Sequence, residues 1–213
     1  MNKRSYQQDC ALAIALDLVG ERWALLIVRE LLIEPRRYRD LLENLPGIGT
    51  NLLAVRLEWL SRLGLVEKAP PGRPQSPYQL TETGCSLQPV VEALVRFGMQ
   101  FPEYRQPGYA RRSEWNLLPL KMYFDASCAD WGGSYELRLD DDVYTLSKEE
   151  DGLKVREGEA AEAVAGIRMS SATAAAIASG RASPQDAIRE GQVQARGPAD
   201  SVEAFFRAFR AGG

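Results

Sequence analysis

Residues 38–68 read YRDLLENLPGIGTNLLAVRLEWLSRLGLVEK, and this stretch decides the fold of the first half of the chain. Leu41, Leu42 and Leu45 fall on one side of a short amphipathic helix over Tyr38–Leu45. Pro46-Gly47-Ile48-Gly49 makes a tight turn, because glycine admits backbone angles that other residues resist. A second helix then runs from Thr50 to Leu63. Its Leu53, Leu57 and Leu60 recur at i, i+4 and i+7, and Gly64 is placed to stop it. Beyond it, Leu65–Lys68 reads as a strand, Pro70-Pro71-Gly72-Arg73-Pro74 as a loop and Tyr78–Leu80 as a second strand. A helix pair followed by two strands around a polar loop is a winged helix-turn-helix, mainly α with a two-stranded wing.

Working outward, residues 8–19 carry Leu12, Ala15, Leu16 and Val19 at helical spacing, and Arg22–Leu32 resumes an apolar helix that Pro35 ends. After the wing, Thr81 caps a helix that continues to Gln100, with Leu87, Val90, Val91, Leu94 and Phe97 on its buried side. Pro89 lacks the amide that would bond back to Cys85, so this helix either kinks or starts twice. Residues 1–100 thus form one domain and residues 101–114 a connector. Residues 115–213 change character: strands are expected over Leu117–Phe124, Tyr135–Leu139, Val143–Leu146, Leu153–Val155 and Val164–Met169. Tyr135, Leu137 and Leu139 alternate with Glu136, Arg138 and Asp140, as in a sheet wet on one face. Helices return after Ser170 and at Ser183-Pro184-Gln185-Asp186. Val193–Ala195 is expected to rejoin the sheet, and Ser201–Phe209 is a last amphipathic helix. This half reads as an antiparallel α+β domain.

Composition narrows the function. The 213 residues are 45% hydrophobic and 26% charged, the balance of a folded globular protein. Apolar runs such as Ala11–Leu16 are far too short to span a membrane, and no secretory leader is expected at the start. Histidine is absent, which excludes a His-based triad or a His-containing metal site. Cys10, Cys85 and Cys128 lie far apart and form no ligand pair, so a reducing cytoplasm is expected and no metal or cofactor. Each is expected to be a small buried residue on an apolar face. The formal net charge of −3 hides a gradient. Residues 1–100 hold 12 Lys and Arg against 11 Asp and Glu; residues 101–213 hold 14 against 18. DNA binding requires a basic surface stripe rather than a basic protein.

The helix over residues 50–63 can supply such a surface. With its leucines turned inward, Thr50, Asn51, Ala54, Val55, Glu58 and Arg62 remain as outward candidates. Asn pairs bidentately with adenine, while Thr, Ala and Val meet the thymine methyl. Arg56 is expected on the flank, against a phosphate. Arg36, Arg37 and Arg39 precede the supporting helix, and Lys68 and Arg73 bracket the wing; each would add salt-dependent affinity without sequence preference. Taken singly, RRYR is as well explained as a solvated helix start. The joint placement around one helix pair carries the DNA reading.

Three stretches, DCALAIALDLVGERWALLIVRELL, RRYRDLLENLPGIGTNLLAVRLEWLSRLGLVEK and PYQLTETGCSLQPVVEALVRFG, resemble the HxlR-type winged-helix regulators of the MarR-like group over residues 9–98. The Gly-x-x-Trp before the second helix and the Leu-Thr-x-x-Gly after the wing are part of the likeness. The resemblance implies a DNA-binding dimer, often a repressor, with Thr50–Leu63 in the major groove and residues 6–19 and 84–100 at the dimer contact. It also points to Cys10 as a candidate redox or electrophile sensor, which would require an exposed, thiolate-prone sulfur. The long C-terminal extension departs from the family's usual size. Residues 115–210, through IRMSSATAAAIASGRASPQDAIREGQVQARGPADSVEAFFRAF, resemble a sterol-carrier (SCP2-like) domain, which implies a hydrophobic small-molecule effector. Candidate ligand-binding residues are Met122, Phe124, Trp131, Tyr135, Tyr144, Phe205, Phe206 and Phe209, although an ordinary packed core explains each of them alone. The carboxylates Asp125, Asp130, Glu136 and Asp140–Asp142 fit no paired-acid or metal spacing, and no glycine-rich phosphate loop follows a strand, so no enzyme activity is expected. The competing class is a lipid-binding or protein-interaction module whose winged helix no longer reads DNA.

Overall fold

Leucine and isoleucine at helical spacing fold the first half around one apolar centre. The structure is a computed structural model that describes residues 5–69, 76–104, 106, 108–110, 112–128, 131–150 and 152–209. It divides into two compact units, residues 1–97 and 98–213. The loop expected over 70–74, with Arg73, lies outside the described residues.

In the first unit, α1 (Ala11–Val19), α2 (Ala24–Ile33), α3 (Tyr38–Asn44) and α4 (Thr50–Arg62) precede β1 (Val66–Lys68) and β2 (Tyr78–Leu80). Ile27, Leu31, Leu41, Leu45, Leu53, Leu57 and Leu60 form the core, all at 5% exposure or less. β1 and β2 pair antiparallel, with Glu67 opposite Gln79. Arg36, just ahead of α3, joins them through two backbone bonds with Tyr78, of 2.9 and 2.7 Å. Proline at position 89 resolves into two starts rather than a kink: α5 (Glu82–Cys85) ends, and α6 (Gln88–Gly98) begins with Pro89 in its first turn, where a missing amide costs nothing.

The expected inward faces of the terminal helices differ from those observed. In α1 only Ala13 and Val19 are buried, and in α6 only Val91. Leu12, Ile14 and Leu16, and likewise Val90, Leu94 and Phe97, stand 41–67% exposed. Among the described residues these apolar faces stay largely open to solvent.

The second unit opens on two 3-10 turns, Pro102–Tyr104 and Ser113–Asn116, and α7 (Leu117–Met122). The strand expected over Leu117–Phe124 is therefore a helix, with Pro119 tolerated in its first turn; only Phe124 bridges to another segment, at Phe209. Five strands follow: β3 (Ser134–Leu139), β4 (Asp142–Glu149), β5 (Gly152–Glu157), β6 (Ala163–Met169) and β7 (Val193–Arg196), in spatial order β5-β4-β3-β6-β7. The sheet is mixed rather than wholly antiparallel, because β3 and β6 pair in parallel, Leu137 beside Ile167. Helices α8 (Ser171–Ala178), α9 (Pro184–Arg189) and α10 (Ala199–Ala208) complete the unit. Ser170 and Ser183 cap α8 and α9 by accepting from the amides of Thr173 and Asp186. Tyr135, Leu137, Tyr144, Leu146 and Ile167 turn into the core with Phe205 and Phe206. Among the described residues no helix is long and apolar enough to cross a membrane.

Candidate nucleic-acid interface

The periodicity of α4 sorts its side chains into two faces. Leu53, Leu57 and Leu60 are buried, whereas Thr50, Asn51, Ala54, Val55, Glu58 and Arg62 are exposed. The exposed set recurs at i, i+4 and i+8, so it forms one stripe along the helix. Its leading end is uncharged. The phenol of Tyr38 on α3 donates to the carbonyl of Thr50 at 2.6 Å, which fixes the angle at which that end leaves the turn. Farther along, Arg62 pairs with Glu58 one turn back, so Glu58 is neutralised within the helix.

Two of the arginines expected on phosphates are placed otherwise. Arg56 is 7% exposed; its terminal nitrogen donates to the Glu21 carboxylate at 2.8 Å and its Nε to the carbonyl of Arg22 at 3.2 Å. It faces the α1–α2 junction, one helical step away from the flank. Arg36 is 8% exposed, drawn in by its backbone pairing with Tyr78, and its guanidinium meets Glu34 at 2.7 Å. Arg37 and Arg39 remain at the surface. Asp40 accepts the backbone amide of Arg37 at 2.9 Å, and Arg39 pairs with Glu43 while 87% of its side chain stays exposed. Lys68 on the wing lies 5.3 Å from the centre of the Tyr78 ring. The structure brings Arg37, Arg39, Lys68 and the stripe of α4 into one unit and removes Arg36 and Arg56 from the candidate surface.

Several contacts that hold this arrangement carry no simple sequence signal. Trp59 donates from its indole to the carbonyl of Leu18 at 2.9 Å. Trp23 adopts a left-handed backbone, φ 81°, beneath Arg22 at 5.2 Å. Glu30 is fully buried on α2, where Arg29 and Asn44 donate to it. The Gly-x-x-Trp spacing marks this junction, but not its partners.

The cysteines depart from the buried placement expected of them. Cys10 and Cys85 are exposed and Cys128 is half-buried. Cys10 sits at the N-cap of α1, where the free amides of Ala13 and Leu12 hold its thiol below the ordinary cysteine value.

In the second unit the candidate ligand residues pack on one another. Trp131 lies 4.0 Å from Tyr135, ring centre to ring centre, and Phe205 lies 4.9 Å from Phe209. Phe124 and Met122 pack against this cluster partly exposed. Tyr144 is fully buried; its hydroxyl donates to the carbonyl of Ser113 at 2.7 Å and accepts from Asn116, and burial pushes its phenol far up. The indole nitrogen of Trp131 is buried with no partner among the described residues. A recess on α10 is lined by Asp200, Ser201, Glu203 and Arg207, none of them a candidate ligand residue. Among the described residues no cluster of three or more His, Cys, Asp or Glu is placed to hold a metal ion.

Comparison with known proteins agrees with this two-part architecture. The HxlR-like helix-turn-helix family model matches residues 18–106, and the SCP-2 sterol transfer family model matches residues 122–210. An uncharacterized HTH-type transcriptional regulator of Synechocystis is 34% identical over 96 residues, 44% of this chain and 71% of that protein. One from Mycobacterium tuberculosis is 42% identical over 91 residues, 41% of this chain and 56% of that protein, so the chain spans about half of this relative. The solved reduced form of the Bacillus subtilis transcriptional regulator YodB is 31% identical; the match covers 46% of this chain and all of that one, with a TM-score of 0.39.

Proposed function

The chain belongs to the HxlR-like helix-turn-helix family and carries an SCP-2 family domain; on that premise we propose that it is a DNA-binding transcriptional regulator that acts as a homodimeric repressor answering to a hydrophobic small molecule. The observation that carries the reading is the uncharged, exposed tip of α4. Thr50, Asn51, Ala54 and Val55 present their side chains to solvent, backed by the buried Leu53 and Leu57; in the same unit Arg37 and Arg39 are exposed at the start of α3, and Lys68 is half-buried on the wing. Asn51 is suited to adenine and the small apolar groups to thymine methyls, while the cations grip phosphates. The exposed apolar faces of α1 and α6 support a dimer. Twofold symmetry would then place two copies of α4 about 34 Å apart, or at a multiple of that spacing, on a pseudo-palindromic site. No catalytic step is part of this reading, and a reducing cytoplasm suits its three unpaired cysteines.

The effector half of the proposal rests on the SCP-2 match and on the buried indole N–H of Trp131, which has no partner among the described residues, within an aromatic cluster. Ligand and operator affinities would be linked reciprocally. Equal operator affinity with and without a saturating hydrophobic ligand would remove that ligand as effector.

The decisive experiment is a salt-dependent footprint on a selected operator. Asn51→Ala should relax preference at one base pair, by about 1–3 kcal/mol, whereas Arg37→Ala should weaken cognate and scrambled duplexes alike. Wild-type protein that treats the two duplexes alike at every salt concentration would end the DNA reading.

A further inference from the structure

Alternation along the five strands of the second unit leaves one sheet face outside the aromatic core. Strand register places Arg156, Thr145, Glu136, Gly166 and Arg196 side by side across all five strands. One step along, Val143, Arg138, Arg168 and Gln194 form the neighbouring row. Lys154 lies on the same face of β5 as Arg156, where it pairs with Glu149. The face therefore gathers five cations against two carboxylates, Glu136 and Glu149, on a segment of the chain whose overall balance is acidic.

Three of these residues are held by a specific device. Glu136 is 3% exposed, and its carboxylate accepts from Arg138 at 3.0 Å and from Arg196 at 2.7 Å. Arg138 also meets Glu159 at 2.7 Å, at the rim of the face. Arg196 reaches Glu136 by lying across Gly166: a Cβ there would meet the Arg196 Nε at 2.3 Å. Glycine on β6 thus opens the channel through which a guanidinium crosses from β7 to β3. Glu136 orients two arginines, while the Arg196 side chain stays 67% exposed with further N–H groups, which lowers the ordering cost of a further contact. Arg156 and Arg168 are exposed, and neither has a carboxylate partner among the described residues.

We infer that this open sheet face is a second DNA surface, binding duplex phosphates through Arg138, Arg156, Arg168 and Arg196. The inference rests on the DNA-binding reading given above. Five strands at about 4.8 Å spacing spread the arginines over about 19 Å, a span that matches several phosphates of one strand. Protein-binding faces centre on apolar or aromatic anchors, whereas nucleic-acid faces are more polar and strongly positive. Here the two rows hold no aromatic residue, and Val143 is their only aliphatic side chain. Guanidiniums on a polar sheet suit a polyanion.

The test uses the full-length chain with Arg156→Gln and Arg168→Gln together, both at exposed positions without a carboxylate partner among the described residues. On a long duplex centred on the operator, the salt dependence of binding should become shallower by about 0.9 for each phosphate no longer neutralised, about 1.8 per engaged protomer. Lysine at both positions should restore the slope, because it retains the charge. On a duplex trimmed to the operator core, the glutamine variant and wild type should bind equally. Identical slopes for wild type and the glutamine variant on the long duplex would overturn the inference. Retention of a poly-glutamate peptide without any change on duplexes would also overturn it, and would reassign the face to an acidic protein. In either case Asn51-dependent operator binding would stand, so the two readings fail separately; a wild-type chain that binds no duplex would sink both.

Discussion

Arg56 of α4 and Glu21 of the α1–α2 junction are joined at 2.8 Å, on the side of α4 turned away from its exposed stripe. With the Nε bond to the Arg22 carbonyl and the Trp59 bond to Leu18, α4 is fastened at three points to the segment around the end of α1. Arg56 consequently holds the exposed stripe of α4 in place, and on the proposed reading it does not touch DNA. Arg56→Ala should lower the stability of the winged-helix unit by about 1–3 kcal/mol, since it removes a charged hydrogen bond and takes the donor from the Arg22 carbonyl. The salt dependence of DNA binding should not change. Chemical denaturation and a salt titration separate the roles: a stable variant with a shallower slope would return Arg56 to the phosphates.

Much of the fold is legible because the leucine spacing of α4, the turn at Pro46–Gly49 and the cap residues Ser170 and Ser183 each act locally. The departures have local causes too. Arg56 adjoins the buried Leu57, and one helical step of about 100° separates the flank from the core. The run Leu117–Phe124 is apolar enough for either element, and it is a helix in the structure, with Pro119 in its first turn. The parallel pairing of β3 with β6, which sets Glu136 beside Gly166, is only loosely encoded by pattern, as it depends on a crossover through β4 and β5. The apolar faces of α1, with Leu12 and Leu16, and of α6, with Leu94 and Phe97, are visible in the sequence, but periodicity cannot say whether the same chain or a second copy covers them.

Those two faces yield a prediction about assembly. Leu12 is 67% exposed, Leu94 50% and Phe97 59%, on the two helices the family resemblance assigns to a dimer contact. Fully burying one leucine contributes about 1.5–3 kcal/mol, and a twofold contact counts each residue twice. Leu94→Glu should therefore shift sedimentation from twice 23.6 kDa to 23.6 kDa, with the helical circular dichroism retained. Operator affinity should fall with it, since one protomer presents one α4. A glutamate variant that stays dimeric would move the contact elsewhere.

Cys10 should react as a thiolate. The α1 amides hold its thiol below the ordinary value, so the charged form is populated at lower pH than in an unstructured peptide. Lowered thiol pKa means that the alkylation rate rises with pH through a midpoint on the acid side of the peptide's midpoint. Mass spectrometry after iodoacetamide pulses, with an unstructured cysteine peptide as reference, reads this directly. A midpoint equal to the peptide's would remove the electrostatic basis for a sensor at this position.

Gly84 sits where the wing meets α5, and the close approach there admits no side chain. A Cβ at this position would lie 2.0 Å from the carbonyl oxygen of Leu65 and 3.2 Å from the Cβ of Leu80. That carbonyl cannot swing aside freely, because it accepts the Thr81 amide at 3.1 Å, and the Thr81 hydroxyl in turn accepts the Gly84 amide at 3.0 Å. Gly84→Ala must therefore spread β1 from α5, with a cost of about 1–3 kcal/mol by the usual range for overpacking. Thr83→Ala, at an exposed position one residue earlier, supplies the control for helix composition. Urea midpoints should fall for the Gly84 variant and hold for the Thr83 variant, with unchanged slopes in both. Equal midpoints would mean that the wing joins its helix less tightly than the backbone contact at Leu65 requires.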